Sequence, residues 1–201
     1  MKLKNYIEQE SSWPCSGEHI MAQYDNDSIW VYQAYSPLIA SYAIQHQRFG
    51  GAFSYDRMSW IKPNFLWMMY RSDWARKQGQ EVVLAIQLRR AFFDEIAQLA
   101  VSSSFHPSQY TDHAAWKSAV QDSDVRLQWD PDHDPYGAKC ERRAIQLGLR
   151  GKILERYGKS EILRISDVTP IVQEQLQKRD RNLADLEVPE ENPYPQRWAS
   201  T

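Results

Sequence analysis

The sequence predicts a mixed α/β fold in a single domain, and three observations carry that expectation. Segments with strand patterning and segments with helical patterning alternate through the first half of the chain. Prolines follow two of the strand-like segments, Pro37 and Pro63, where they suit the first turn of a helix. Finally, 201 residues with 42% apolar and 25% charged side chains suffice for one core without staples.

The elements follow in order. Residues 29–35 (IWVYQAY) are β-branched and aromatic and read as a strand. Ser36-Pro37 then caps a helix with Leu38, Ile39, Tyr42 and Ala43 at helical spacing, stopped by Gly50-Gly51. Residues 58–62 (MSWIK) form the next strand. Pro63 opens a helix over 64–77 that is apolar on nearly every side up to Tyr70, the mark of a buried helix. In 81–89 (EVVLAIQLR), Val82, Leu84, Ile86 and Leu88 share one face. Val83 and Ala85 make the other face apolar too, so this strand is central.

Residues 91–101 read as an amphipathic helix, and a less regular stretch holds a short helix around Trp116. Residues 125–129 alternate as a strand and run into Asp130-Pro131-Asp132-His133-Asp134-Pro135, a turn-rich loop. In 142–150, Ile145, Leu147 and Leu149 point inward while Arg142, Gln146 and Arg150 take the other face. A short helix at 153–157 and a last strand at 161–165 precede a helix opened by Thr169-Pro170, with Val172, Leu176 and Leu183 on one face. The domain is expected to span 1–186. Residues 187–201, with three prolines and no periodicity, read as an exposed tail.

Composition narrows the function classes. A net charge of −2 gives no bulk basic field for non-specific nucleic-acid binding. Two cysteines, Cys15 and Cys140, with no CxxC argue against a disulfide scaffold or a cysteine zinc site, and no metal is expected. The residues after Met1 hold no apolar signal region, and the apolar run 65–70 is too short to span a membrane; a cytoplasmic protein is expected. There is no Walker loop, GxGxxG, HExxH or GxSxG. Eight Trp and eleven Tyr exceed what a core needs and suit a lined pocket as well as aromatic packing.

Four segments are candidates for chemistry. Tyr32-Gln33-Ala34-Tyr35-Ser36-Pro37 delivers polar groups to a helix start, either as an anion or carboxamide site or as an ordinary β–α turn. At Ser59-Trp60-Ile61-Lys62-Pro63-Asn64, Lys62 is a phosphate contact or a solvated lysine. Arg71, on the same apolar helix, is expected to be partly buried and paired. Asp130, Asp132 and His133 are metal ligands, acid–base groups or, the favoured reading, turn formers, since their spacing matches no established metal motif. Glu141, beside Arg142 and Arg143, is either an ion-paired surface residue or a catalytic carboxylate supported by its cationic neighbours.

The strings VYQAY, SWIKPNFLWMMYRSDW, QWDPDH and RRAIQLGLRG resemble the domain of unknown function 4291 family over about residues 29–180. That label carries no activity. The order of elements is also similar to the ADP-ribosyltransferase superfamily, which implies split sheets packed with helices and an enzyme that uses NAD. In that superfamily a His or Arg on the first strand holds NAD, and a glutamate on a late strand orients the acceptor and stabilises an oxocarbenium-like transition state. Carried onto this chain, the resemblance implies that Gln33 and Tyr35 bind the nicotinamide end, Lys62 and Arg71 the pyrophosphate, and that Glu141 is catalytic. Gln33 stands where His or Arg is usual, and no ExE or QxE precedes the late strands. The implied acceptor is unidentified, with a nucleic acid or nucleotide among the options. The rival readings are a non-catalytic module for a nucleotide or nucleic-acid end, and a hydrolase centred on Asp130, Asp132 and His133.

Overall fold

A computed structural model describes residues 1–195 as one mixed α/β domain. The chain opens with β1 (Leu3–Asn5), α1 (Tyr6–Glu10), β2 (Gly17–Glu18) and β3 (Met21–Ala22). The strand–helix alternation follows as β4 (Ser28–Tyr35), α2 (Pro37–His46), β5 (Ser59–Ile61), α3 (Phe65–Ser72), β6 (Val82–Arg89) and α4 (Arg90–Leu99). β7 (Val101–Ser102) and α5 (His113–Asp122) lead to a hairpin of β8 (Val125–His133) and β9 (Lys139–Leu149). The remainder is α6 (Gly151–Arg156), a π turn at Tyr157–Glu161, β10 (Ile162–Asp167), α7 (Thr169–Arg181), β11 (Glu187–Pro189) and β12 (Asn192–Pro193).

Two sheets organise these elements. One is antiparallel, in the order β10-β6-β4; the other runs β2-β9-β8-β7, with β5 on the same edge of β9 as β2. The sheets meet where Tyr32 of β4 bridges Lys62, just past β5, through reciprocal backbone hydrogen bonds of 2.7 and 3.3 Å. Between the sheets lies the main core. Val31, Leu84, Ile86 and Leu88 face Val125, Leu127, Ile145, Leu147 and Leu149, with Phe92 and Phe93 of α4 closing it. Burying each such aliphatic side chain contributes about 1.5–3 kcal/mol. β6 is central, as its doubly apolar pattern requires. Its other face, Val83 and Ala85, joins Tyr32 under α3 and Val172 of α7 in a second core.

Several expectations need correction. The helix expected over 64–77 ends at Ser72, because Asp73, Trp74 and Ala75 all adopt left-handed backbone, φ 49, 53 and 65°. Such residues cost about 1–3 kcal/mol each. Here the run buries Trp74 against Phe65 and holds the Trp74 amide on the Met69 carbonyl at 2.9 Å. Helix α2 closes earlier than Gly50-Gly51, at a left-handed Gln47, whose amide fastens it to both backbone groups of Ile165. The loop expected at 130–135 is strand as far as His133, since β9 supplies a hydrogen-bonding edge that local turn propensity ignores.

The tail is also corrected. β11 pairs with β1 and β12 with β3, so residues 187–193 zip onto the N-terminal segment. Val188, Glu191 and Tyr194 are buried rather than exposed. The part of that expected tail at 196–201 lies outside the described residues.

Candidate functional site

Strand alternation decides which side chains share a surface. In the β5–β9 register, Ile61 lies opposite Leu147 and enters the core, so Lys62 one step on falls to the other face. That face is polar. Lys62 comes level with Gln146, Gln146 lies opposite Gln128, and Asp130 follows two residues along β8. Both glutamines donate to the Asp130 carboxylate, from Gln128 Nε2 at 3.0 Å and from Gln146 Nε2 at 2.7 Å. Gly148 leaves room on this face for Trp60, because a Cβ there would come within 3.0 Å of its ring.

Helix α3 lies against this surface. Its start is fixed twice: Asn64 Oδ1 accepts the Trp67 amide at 2.6 Å, and Glu191 accepts the Phe65 amide at 2.6 Å. Trp67, Tyr70 and Arg71 share one side of the helix at spacings of three and four. The Lys62 ammonium stands 5.0 Å from the Trp67 ring centroid. Tyr70 stacks on His133 with ring centroids 3.6 Å apart.

Three buried polar side chains in this junction lack, among the described residues, the partners that burial normally demands. Lys62 is only 5% exposed, and no hydrogen bond to another described residue supports its ammonium. Burial pushes its pKa down to about 7; the nearby Arg71 adds to that effect and Asp130 opposes it. Trp67 Nε1 is sealed without an acceptor, and both ring nitrogens of His133 are sealed without partners. Burial also holds His133 below the usual histidine range.

The residues singled out from the sequence divide accordingly. Lys62, Arg71 and Asp130 come together electrostatically. Arg71, however, is exposed rather than partly buried, because it stands beside the half-exposed Tyr70 in the last turn of α3, and no ion pair among the described residues includes it. Gln33 and Tyr35 belong to the opposite face of β4. Gln33 Nε2 donates to Ser59 Oγ at 2.8 Å and to the Trp60 carbonyl at 3.0 Å, while its Oε1 accepts the Tyr157 hydroxyl at 2.6 Å. Tyr35 shares the same Ser59 hydroxyl at 2.9 Å. Every polar group of Gln33 is thereby engaged in holding the two sheets together.

Glu141 is exposed near the start of β9, and its two arginine neighbours are committed elsewhere. Arg142 is buried against Asp132 at 2.7 Å and donates to the Pro14 carbonyl; Arg143 donates to the Trp129 carbonyl. Asp132 is therefore a structural ion partner rather than a companion of Asp130. The sequence reading missed Trp67, Tyr70, Gln128 and Gln146. Gln146 was visible on the polar face of its strand, but its meeting with Asp130 depends on the β8–β9 register.

Among the described residues no group of three or more His, Cys, Asp or Glu is placed to hold a metal ion. No helix there is long and apolar enough to cross a membrane. A family model described as a domain of unknown function, DUF4291, matches residues 19–194. No curated protein matches the chain.

Proposed function

We propose that this chain, which belongs to the domain of unknown function 4291 family, is an ADP-ribosyltransferase-like enzyme that holds NAD between α3 and the polar sheet face. The observation that carries the reading is Lys62, a largely buried amine with no acceptor among the described residues, beside a second cation and over an aromatic face. A pyrophosphate supplies both things this site lacks, negative charge and hydrogen-bond acceptors. Trp67 Nε1 adds a further donor with no partner among the described residues. Two sheets joined through the Tyr32–Lys62 bridge support the split-sheet arrangement of that superfamily.

In this reading Lys62 and Arg71 hold the pyrophosphate. The Asp130 carboxylate, oriented by Gln128 and Gln146, faces the positive charge that develops at the ribose as the nicotinamide bond breaks. The carboxylate role that the resemblance implies for Glu141 passes to Asp130, which shares the site with Lys62. Gln33 and Tyr35 support the junction from its other face. A non-catalytic nucleotide-binding module needs only the cations and Trp67, and the exposed position of Glu141, in no ion pair among the described residues, favours it as the second reading.

Calorimetry with NAD, beside nicotinamide release measured with protein and nucleic-acid acceptors, separates the two. NAD is expected to bind and raise Tm. Lys62→Ala is expected to weaken binding, and Asp130→Asn to keep binding while abolishing release. Absence of binding at millimolar NAD removes the enzyme reading. Binding without release in the parent protein leaves the module. Undiminished release in Asp130→Asn refutes the role given to that carboxylate.

A further inference from the structure

One buried group in this junction takes no part in holding an anion. His133 ends β8 at 3% exposure with both ring nitrogens sealed and without a partner among the described residues. A neutral imidazole carries one N–H donor and one bare acceptor nitrogen, so both kinds of hydrogen bond are missing. Its cover is Tyr70, stacked 10° from parallel yet 48% exposed. Beyond Tyr70 the hairpin turn is relaxed by Gly137, at φ +86°, where a Cβ would lie 3.4 Å from the Tyr70 ring. On the helix side, Tyr70 and Arg71 stand just ahead of the left-handed run Asp73-Trp74-Ala75. Strained backbone of this kind concentrates at switch and ligand-clamping segments. A cover that is solvated outside, flat inside and attached next to a strained turn is built to move.

We propose that Tyr70 is a displaceable cover and that the heterocyclic ring of the ligand, a nucleobase or a nicotinamide, takes its place, stacked on the face of His133. The inference rests on the NAD reading only for the other end of the ligand, where Lys62 and Arg71 take the phosphates. Between the two ends the aromatic steps are short. Lys62 lies 5.0 Å from Trp67, Trp67 lies 6.4 Å from Tyr70, and Tyr70 lies 3.6 Å from His133. These steps span a nucleotide, with phosphate at one end and ring at the other. The charge of Asp130 acts on both Lys62 and His133.

Histidine-labelled protein observed by NMR tests the proposal, with the His133 signal identified by its loss in His133→Phe. Adenosine, nicotinamide and inorganic pyrophosphate are added separately at millimolar concentration. Adenosine or nicotinamide is expected to move the His133 signal, and whichever does so identifies the ring; pyrophosphate is expected to leave it in place. Tyr70→Ala, a change at a half-exposed position, is expected to speed hydrogen exchange at His133 Cε1 at least about tenfold while preserving ring binding. The proposal is overturned if neither ring compound moves the signal in the parent protein or in Tyr70→Ala. It is equally overturned if Tyr70→Ala leaves the exchange rate unchanged. Ring binding without pyrophosphate binding removes the anion reading and leaves His133 as the stacking face; pyrophosphate binding alone does the reverse.

Discussion

The carboxylate of Glu191 caps α3 from 126 residues further along the chain, its Oε1 accepting the Phe65 amide at 2.6 Å. Its second oxygen accepts the Asn64 side-chain amide at 3.2 Å. Burial raises its pKa well above the ordinary carboxylate value of 4.5. Between that value and the raised one, the unfolded chain has lost a proton that the folded chain keeps. Stability therefore falls as pH rises through this window. The stability difference between the parent protein and Glu191→Gln is expected to move against the parent as pH rises from about 4.5 to neutrality. Glu191→Ala is expected to cost about 1–3 kcal/mol, since two buried donors lose their acceptor. Urea unfolding over a pH series checks both, and parallel pH curves for parent and Glu191→Gln would contradict the assignment.

Lys62 titrates in the opposite sense. Its folded pKa of about 7 lies below the ordinary 10.5. The folded chain has thus lost a proton that the unfolded chain still holds, and stability rises with pH through that window. Lys62→Met is expected to be more stable than the parent at neutral pH by about 2 kcal/mol or more, with the gap closing towards alkaline pH. NAD binding, which favours the ammonium, is expected to weaken as pH rises above about 7 and to take up a proton. Titration calorimetry in buffers of different ionisation heat measures that uptake directly; its absence would argue that Lys62 is already charged in the free protein.

The Arg142–Asp132 pair joins the two strands of the hairpin, and Arg142 also donates to the Pro14 carbonyl of the N-terminal segment. The pair is buried on both sides, with Arg142 Nε also donating to Asp132 at 2.8 Å. Arg142→Met is expected to cost about 3–5 kcal/mol, because Asp132 is left buried and alone. The double variant Arg142→Met with Asp132→Leu is expected to recover part of that loss, giving a coupling of about 0.5–3 kcal/mol in a denaturation cycle. Strict additivity would deny the interaction.

Tyr157→Phe separates scaffold from site. It removes the hydroxyl that donates to Gln33 Oε1 at 2.6 Å and leaves a buried carbonyl unsatisfied. A loss of about 1–3 kcal/mol in stability is expected, with NAD affinity unchanged. Reduced affinity in a folded variant would return Gln33 and Tyr35 to the ligand, as the superfamily resemblance implied.

Read alone, the sequence determined the domain class and the strands that build its core. β4, β6 and β9 were legible because period-two alternation and doubly apolar faces are local consequences of burial. Lys62 was legible as a candidate because it closes a strand just before a helix-opening proline. Only the tertiary structure decided that Lys62 is largely buried, that Asp130 is its neighbour, and that Gln33 is fully occupied. It also decided that residues 187–193 pair with the N-terminal segment and that Glu191 caps α3. The physical reason is the same in each case. Periodicity records which face of an element is buried, whereas the partners of a polar group follow from strand register and from contacts between residues far apart in the chain.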